Sequence, residues 1–584
     1  MRRAFPLLLL LGTARLAAAG AADDLNALYE SEWERGLREH PVAASGAGDH
    51  RFDAMLSDLS SEALAKSEAA DRAALERARQ IPASDLDDQA RLNRDMFIWE
   101  MQRAVDGQRF GGRWMPLDQQ GGIQTFDTVL ETVELRSVAD FEHWIARLNG
   151  LDRHIAQTVE LLKQGVETGW LPPRVVMQRV SRQIANQVVE KPEDSPFWKA
   201  FAALPDAIPH AEQERLRREA RQAIAEHVLP GYRALQRYFD DVYLPACRDS
   251  IAATELPDGK DYYAWLAAGF TTTPKTPDEI HQIGLDEVAR IRAEMLKIKD
   301  EVGFEGDLQA FFDHLRSDPK FFYSDPAELL KGYRDVAKRI DPELVKVFGK
   351  LPRMPYGVRR IPEALAPHTY TAYYQPGAND GSRAGYYYVN LYKPEARPKW
   401  EMMALSLHEA VPGHHFQFAL GLELPEQPMF RRTAYVVAYG EGWALYAERL
   451  GYEMGLYDDP YDRFGQLTYD MWRAVRLVVD TGMHAKGWSR QKAIDYFKAN
   501  APKTEQDIVN EIDRYIAWPG QALAYKIGQL KILELRARAE KALGGRFDLR
   551  AFHDQVLGTG SVPLAVLEQQ VDRWIAAQTA AGAP

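Results

Sequence analysis

The chain has 584 residues, 46% of them hydrophobic, and its 72 Lys and Arg against 84 Asp and Glu leave a formal charge of −12. That composition excludes wholesale disorder, and without a strong basic tract nucleic acid is not an expected partner. The length allows two or more packed units with large cores, and a lone cysteine, Cys247, excludes an intramolecular disulfide.

Residues 1–22 read as a secretory signal peptide. Arg2 and Arg3 make a basic start, Phe5 to Leu11 an apolar core, and Ala17-Ala18-Ala19 or Gly20-Ala21-Ala22 a small-residue cut site. Arg15 interrupts the apolar part, which argues against a membrane-spanning anchor, and no cysteine near the cut offers a lipid attachment point. A periplasmic or secreted protein without stable membrane insertion is expected. Residues 23–260 form an N-terminal helical region, with apolar positions at three-to-four spacing over Asp23 to Arg38, Ala139 to Gly165 and Glu212 to Tyr243. The turn-rich Glu255-Leu256-Pro257-Asp258-Gly259 marks its end.

Residues 261–584 form the second, catalytic region. Thr276-Pro277-Asp278-Glu279 reads as a helix start, with a cap, a first-turn proline and two acids at the positive end. Between about 352 and 399 the character changes. The runs Thr369-Tyr370-Thr371-Ala372-Tyr373-Tyr374 and Tyr386-Tyr387-Tyr388-Val389-Asn390-Leu391 are rich in strand formers, and the turn signal Gln375-Pro376-Gly377-Ala378-Asn379-Asp380-Gly381 lies between them. A small antiparallel sheet is expected, serving either as a structural hairpin or as an edge for an extended peptide. After residue 400 the pattern is helical again, the last helix starting near Ser561-Val562-Pro563-Leu564 and running through Trp574 and Ile575.

The run Leu407-His408-Glu409-Ala410-Val411-Pro412-Gly413-His414-His415 is the most informative in the chain. It holds imidazoles for a divalent metal and a carboxylate able to deprotonate water. The usual H-E-x-x-H spacing puts the second histidine one turn on, but position 412 is proline. Pro412 has no N–H for the His408 carbonyl, and Gly413 tolerates unusual dihedrals, so the helix is expected to break for about two residues and resume. In an unbroken helix His414 would sit about 240° round from His408, and His415 about 10 Å along the axis. The break favours His414 over His415. The alternative is a helix start with two incidental histidines.

Glu441, in Tyr439-Gly440-Glu441-Gly442-Trp443-Ala444-Leu445-Tyr446-Ala447-Glu448, is the expected third ligand. Glu448 shares its face seven residues on and can orient a ligand histidine from behind. Two imidazoles and one carboxylate suit zinc and leave a coordination position open. Downstream, Arg476, Asp480 and His484 form a polar stripe that either pairs internally or lines a cleft. His484 is a candidate oxyanion donor and Arg476 a candidate for a substrate carboxylate. Tyr525 is the first choice for the oxyanion, and Gln521 and Tyr388 are further substrate-binding candidates.

Three motifs in order, His-Glu-x-x-Pro-Gly-His-His, Gly-Glu-Gly-Trp-Ala-Leu-Tyr-Ala-Glu and Trp-Pro-Gly-Gln-Ala, resemble a bacterial family designated domain of unknown function 885. The likeness is strongest from Pro352 to Gly528 and extends to gluzincin-type zinc peptidases, the angiotensin-converting-enzyme and oligopeptidase group. It implies a mainly α, zincin-like fold enclosing a deep cleft, with the small sheet beside the metal helix. It also implies that Gly413-His414 and Glu441 carry the second and third ligands, that Glu409 is the general base and that a downstream tyrosine supports the oxyanion. The departure is the Pro-Gly insertion, which leaves the metal geometry to be decided.

With zinc held by His408, His414 and Glu441, Glu409 takes the water's proton and returns it to the leaving amine, while Tyr525 or His484 stabilises the oxyanion. The expectation is thus an exported zinc metallopeptidase of short peptides, acting as a carboxypeptidase or dipeptidyl carboxypeptidase. Two alternatives stay open: a zinc hydrolase of a non-peptide amide or ester, and a non-catalytic binding protein with a degenerate site.

Overall fold

The computed structural model describes residues 7–131, 133, 135–363, 366, 371–378, 383–424 and 427–581. Within them helices dominate, accompanied by a three-stranded sheet. The chain packs as two compact units, one of residues 1–260 with 428–430 and the other of 261–427 with 431–584. None of the described helices is long and apolar enough to cross a membrane.

In the first unit the Leu7–Glu39 helix extends the expected 23–38 segment in the N-terminal direction. It buries Leu25, Leu28 and Tyr29 against Ala74, Ala78 and Phe97. The segment expected as one helix over 139–165 is two. A Ser137–Asp140 capping box opens Val138–Asn149, the helix stops at Gly150, and Leu151–Thr168 begins there. The 212–243 segment is continuous but twice widens into a π turn, over Ile224–Val228 and Phe239–Tyr243. Each π turn directly precedes a Leu-Pro step, at Pro230 and Pro245. A wider turn relieves the clash between a proline ring and the carbonyl four residues back.

In the second unit the capping box at Thr276 and Glu279 opens the Pro277–Glu301 helix, which lies along Pro460–Ala485. The Val437–Met454 and Ala524–Leu543 helices also pack together, and their crossing is unusually close. A Cβ on Gly528 would lie 1.9 Å from the Ala438 carbonyl oxygen, and one on Gly442 would lie 2.5 Å from the Gly528 backbone. Only glycine fits at either position.

The sheet has the order β1-β3-β2, with β1 Tyr356–Arg360, β2 Ala372–Gln375 and β3 Gly385–Val389. β2 and β3 are antiparallel, with Tyr373 opposite Tyr388, whereas β1 runs parallel to β3, with Tyr356 opposite Gly385. The expected antiparallel sheet is therefore mixed. β1, whose Gly357, Arg359 and Arg360 carry no strand signature, adds the parallel edge. Of the expected strand and turn residues, Thr369, Tyr370 and 379–381 lie outside the described residues, as do residues 1–6 of the expected leader.

Candidate metal centre

The backbone around position 412 brings the site together. The Met402–Glu409 helix ends at Ala410 (φ −99°, ψ −110°), and His414–Leu422 begins after Gly413 (φ −77°, ψ −127°). The interruption thus covers 410–413, wider than the Pro-Gly step, and the Val411–Pro412 peptide is cis. Gly413 presses on the end of the first helix, so that a Cβ there would lie 1.9 Å from the His408 carbonyl oxygen and 2.4 Å from that of Leu407. The fully buried Trp443 donates its indole N–H to the Pro412 carbonyl at 2.8 Å. Trp443 is two residues from Glu441, so the break is tied to the helix that supplies that glutamate.

His408, His414 and Glu441 each direct one ligand atom into a common space, all three within 4.8 Å of one another. Glu441 Oε2 is 3.7 Å from His408 Nε2 and 3.5 Å from His414 Nε2. Tetrahedral bonds of 2.0–2.1 Å put zinc ligand atoms about 3.4 Å apart, so this donor set fits the ion. Three protein ligands leave the fourth position free for chemistry.

Behind His408, the fully buried Glu448 accepts a hydrogen bond from Nδ1 at 2.8 Å. A carboxylate only accepts, so Nδ1 carries the proton and Nε2 is the ligating atom. Burial opposes a charge on His408, but Glu441 and Glu448 outweigh it and raise its pKa to about 9. Burial likewise works against the Glu441 charge, yet His414 and His408 hold its carboxyl well below the usual range. The site therefore attracts positive charge. His414 lacks the support that His408 has, since its Nδ1 is buried and makes no hydrogen bond among the described residues.

Glu409 follows His408 and is half-buried, and its carboxylate makes no hydrogen bond among the described residues. Its charge acts on His408, Tyr387 and Tyr435, which places it beside the ligand cluster. Tyr435, which the sequence reading did not single out, donates its hydroxyl to Glu441 Oε1 at 3.1 Å, and its ring stacks on Phe418 at 5.6 Å. It precedes the Val437–Met454 helix in a segment without periodicity, and nothing local marks it. Tyr525 is also close: burial and the Glu441 charge both raise its pKa.

Other sequence candidates are placed elsewhere. His415 turns away, with Nδ1 on the Tyr374 hydroxyl at 2.9 Å and Nε2 on the Met354 carbonyl at 3.1 Å, and burial lowers its pKa to about 4. His484, expected as an oxyanion donor, is fully buried with Nε2 on the Tyr515 carbonyl at 2.9 Å and its ring against Tyr263. That nitrogen is taken by the fold, and His484 drops out of the oxyanion role. Tyr388 stacks on Tyr373 at 5.0 Å. Strand alternation puts it on the face opposite Tyr387 and its cross-strand partner Tyr374, the tyrosine that meets His415. Tyr388 therefore points away from the metal helices.

Among the described residues Arg476 and Asp480 do not pair with each other. Arg476 bonds Glu511 and the Tyr515 hydroxyl at 3.0 and 2.8 Å, and Asp480 accepts from Tyr263 and from the Gly520 N–H. Gln521 accepts from Arg514 at 2.7 Å.

A family model described as "Bacterial protein of unknown function (DUF885)" matches residues 41–571. The chain belongs to this family. Among solved structures, this DUF885 protein is similar to the "putative lipoprotein" from Colwellia psychrerythraea, at 31% identity and a TM-score of 0.90 over 95% of this chain and 99% of that one. It shares its fold with a "putative lipoprotein of unknown function" from Shewanella oneidensis, at 19% identity and a TM-score of 0.73 over 93% and 98% of the two chains. No curated protein matches the DUF885 chain.

Proposed function

We propose that this DUF885 protein is an exported, zinc-dependent peptidase of short peptides, similar in its centre to the gluzincins. One observation carries the reading: two histidines and a glutamate from three helices converge within 4.8 Å, with a second glutamate next to the first histidine in sequence. A zinc ion held by His408, His414 and Glu441 supplies Lewis acidity toward a carbonyl and raises the acidity of water.

The chain's own groups do the rest. Glu448 keeps His408 in the ligating tautomer. Glu409, free of hydrogen bonds among the described residues, takes a proton from water and delivers it to the leaving amine nitrogen as the C–N bond breaks. Tyr525 presents a phenol donor on the Glu441 side, where it stabilises negative charge developing on the carbonyl oxygen, while Tyr435 donates to Glu441 and holds that ligand in place.

The test is elemental analysis of purified protein combined with a short-peptide cleavage screen, with and without chelator. About one zinc per chain and chelator-sensitive cleavage are expected. Metal-free protein that binds no added zinc, or cleavage that a chelator leaves untouched, would refute the reading.

A further inference from the structure

The helix face that carries His414 continues past the candidate metal ligands into a cavity that the chemistry above does not use. Gln417, Phe418 and Gly421 follow His414 at three, four and seven residues in the His414–Leu422 helix, so all four lie on one face. The last three line a cavity of about 210 Å³, together with Leu422 and Leu424. One water needs roughly 10–15 Å³ of such space, so a whole amino-acid side chain has room there.

The cavity begins one ring away from the ligands. The Phe418 ring centroid is 6.3 Å from that of His414 and 5.6 Å from that of Tyr435, whose hydroxyl reaches Glu441 Oε1 at 3.1 Å. At 1.5 Å of rise per residue, Gln417 and Gly421 lie about 4.5 and 10 Å beyond His414 along the helix axis. An extended peptide covers about 3.3–3.6 Å per residue. The cavity is therefore level with residues one to three positions from a bond cleaved at the metal.

The lining selects what fits. Phe418, Leu422 and Leu424 offer apolar surface suited to methylene groups. Gln417 is the exception. It is only 6% exposed, its Oε1 is shut off from solvent, and neither end of its carboxamide makes a hydrogen bond among the described residues. Buried polar groups are nearly always paired, and an unpaired one is costly. A second carboxamide matches it, giving an N–H to its oxygen and accepting one from its nitrogen. The terminal torsion of glutamine is soft, so rotation presents either end. Arg431, also in the wall, is engaged by the fold, with Nη1 on the Ser561 carbonyl and Nη2 on that of Thr559, both at 2.8 Å.

We infer that this cavity is a side-chain pocket that selects substrates with a glutamine one to three residues from the cleaved bond. The apolar lining takes the glutamine's methylenes and Gln417 reads its carboxamide. This rests on the peptidase reading above.

Short peptides that differ at one position test it. They carry Gln, Met, Glu or Ala in turn at each of the three residues on either side of the cleaved bond and are assayed with the zinc-loaded full chain. At one position Gln is expected to exceed Met, its apolar counterpart in length, by roughly 10-fold or more in kcat/KM. Gln417→Leu should invert that order. A Cβ on Gly421 meets nothing within 4 Å, so Gly421→Leu can enter the cavity without a clash and should bring Gln and Met down to the Ala level while zinc content holds. Calorimetric titration of the same peptides into zinc-loaded Glu409→Gln protein reads the pocket without turnover, the Gln peptide binding more tightly than the Met peptide.

Chelator-sensitive cleavage that is indifferent to the side chain at every position overturns the pocket and leaves the peptidase standing. A preference for Glu over Gln that survives Gln417→Leu moves recognition to Arg431 or Arg432 and overturns the carboxamide assignment. Gln-selective binding that Gln417→Leu abolishes, with no cleavage of any peptide, overturns the peptidase and keeps the pocket. Neither cleavage nor selective binding overturns both.

Discussion

At the scale of single residues, the two glutamates that flank His408 in space have separable tasks. Glu409 touches no ligand atom through a hydrogen bond among the described residues, so Glu409→Gln should keep the metal while turnover falls by about 10²–10⁴-fold. Zinc content measured beside peptide cleavage checks both halves. Glu448 acts through His408. Its removal in Glu448→Ala frees the ring to change tautomer and leaves Arg473, 3.7 Å from that carboxylate, facing no acid there. Zinc affinity should drop about 10–100-fold, read by competition with a chelating dye, while Glu409→Gln should leave it unchanged.

At the scale of elements, the centre depends on how two short helices meet. Gly413 lets the His414–Leu422 helix start against the carbonyls that end the Met402–Glu409 helix, and Trp443 locks the turn from the Val437–Met454 helix. In Gly413→Ala the added methyl would overlap the His408 oxygen, so His414 must move away from Glu441. The expected outcome is soluble protein with less than one zinc per chain and a destabilisation of about 1–3 kcal/mol for overpacking, read as a melting temperature lower by about 1–4 °C. Full zinc content in that variant would show that the turn can relax without disturbing the ligands. The crossing at Gly442 and Gly528 sets the depth at which the Glu441 helix sits, and for that reason it belongs to the site as much as to the core.

At the scale of the whole molecule, buried neutral histidines make stability depend on acid. His553 is fully enclosed between the Val347 carbonyl and the Tyr446 hydroxyl, and burial lowers its pKa to about 3; His415 is lowered to about 4. Both stay neutral in the folded chain over a range where the unfolded chain takes up protons near pH 6.5. The unfolded state therefore gains protons first at these two sites, and their contribution to stability falls as pH drops below about 6.5, opposed by Asp480 and Asp462, whose carboxyls burial raises to about 7 and about 6. At pH 5 each histidine costs roughly 2 kcal/mol relative to neutral pH. Denaturant midpoints at pH 7 and pH 5 measure the balance, and His553→Gln should raise the pH 5 midpoint relative to that at pH 7. Ligand linkage adds a second lever: zinc at 100 times its dissociation constant should stabilise the fold by about 2.7 kcal/mol, a gain that chelator removes.

Much of this was legible in the chain itself, because local chemistry carries it. Helical spacing, the Thr276 cap and the Pro-Gly interruption are written in neighbouring residues, as is the pairing of His408 with Glu409. A proline deletes one particular hydrogen bond whatever surrounds it, so the break at 412 is a property of sequence. The partners of each ring are not. Tertiary packing alone sent His415 to Tyr374 and Met354, His484 to the Tyr515 carbonyl and Tyr388 to the outer face of the sheet. It also added a parallel strand at 356–360 and brought Tyr435 onto Glu441. Those choices depend on which distant donor or ring arrives at hydrogen-bonding or packing distance, and no spacing along the chain encodes that.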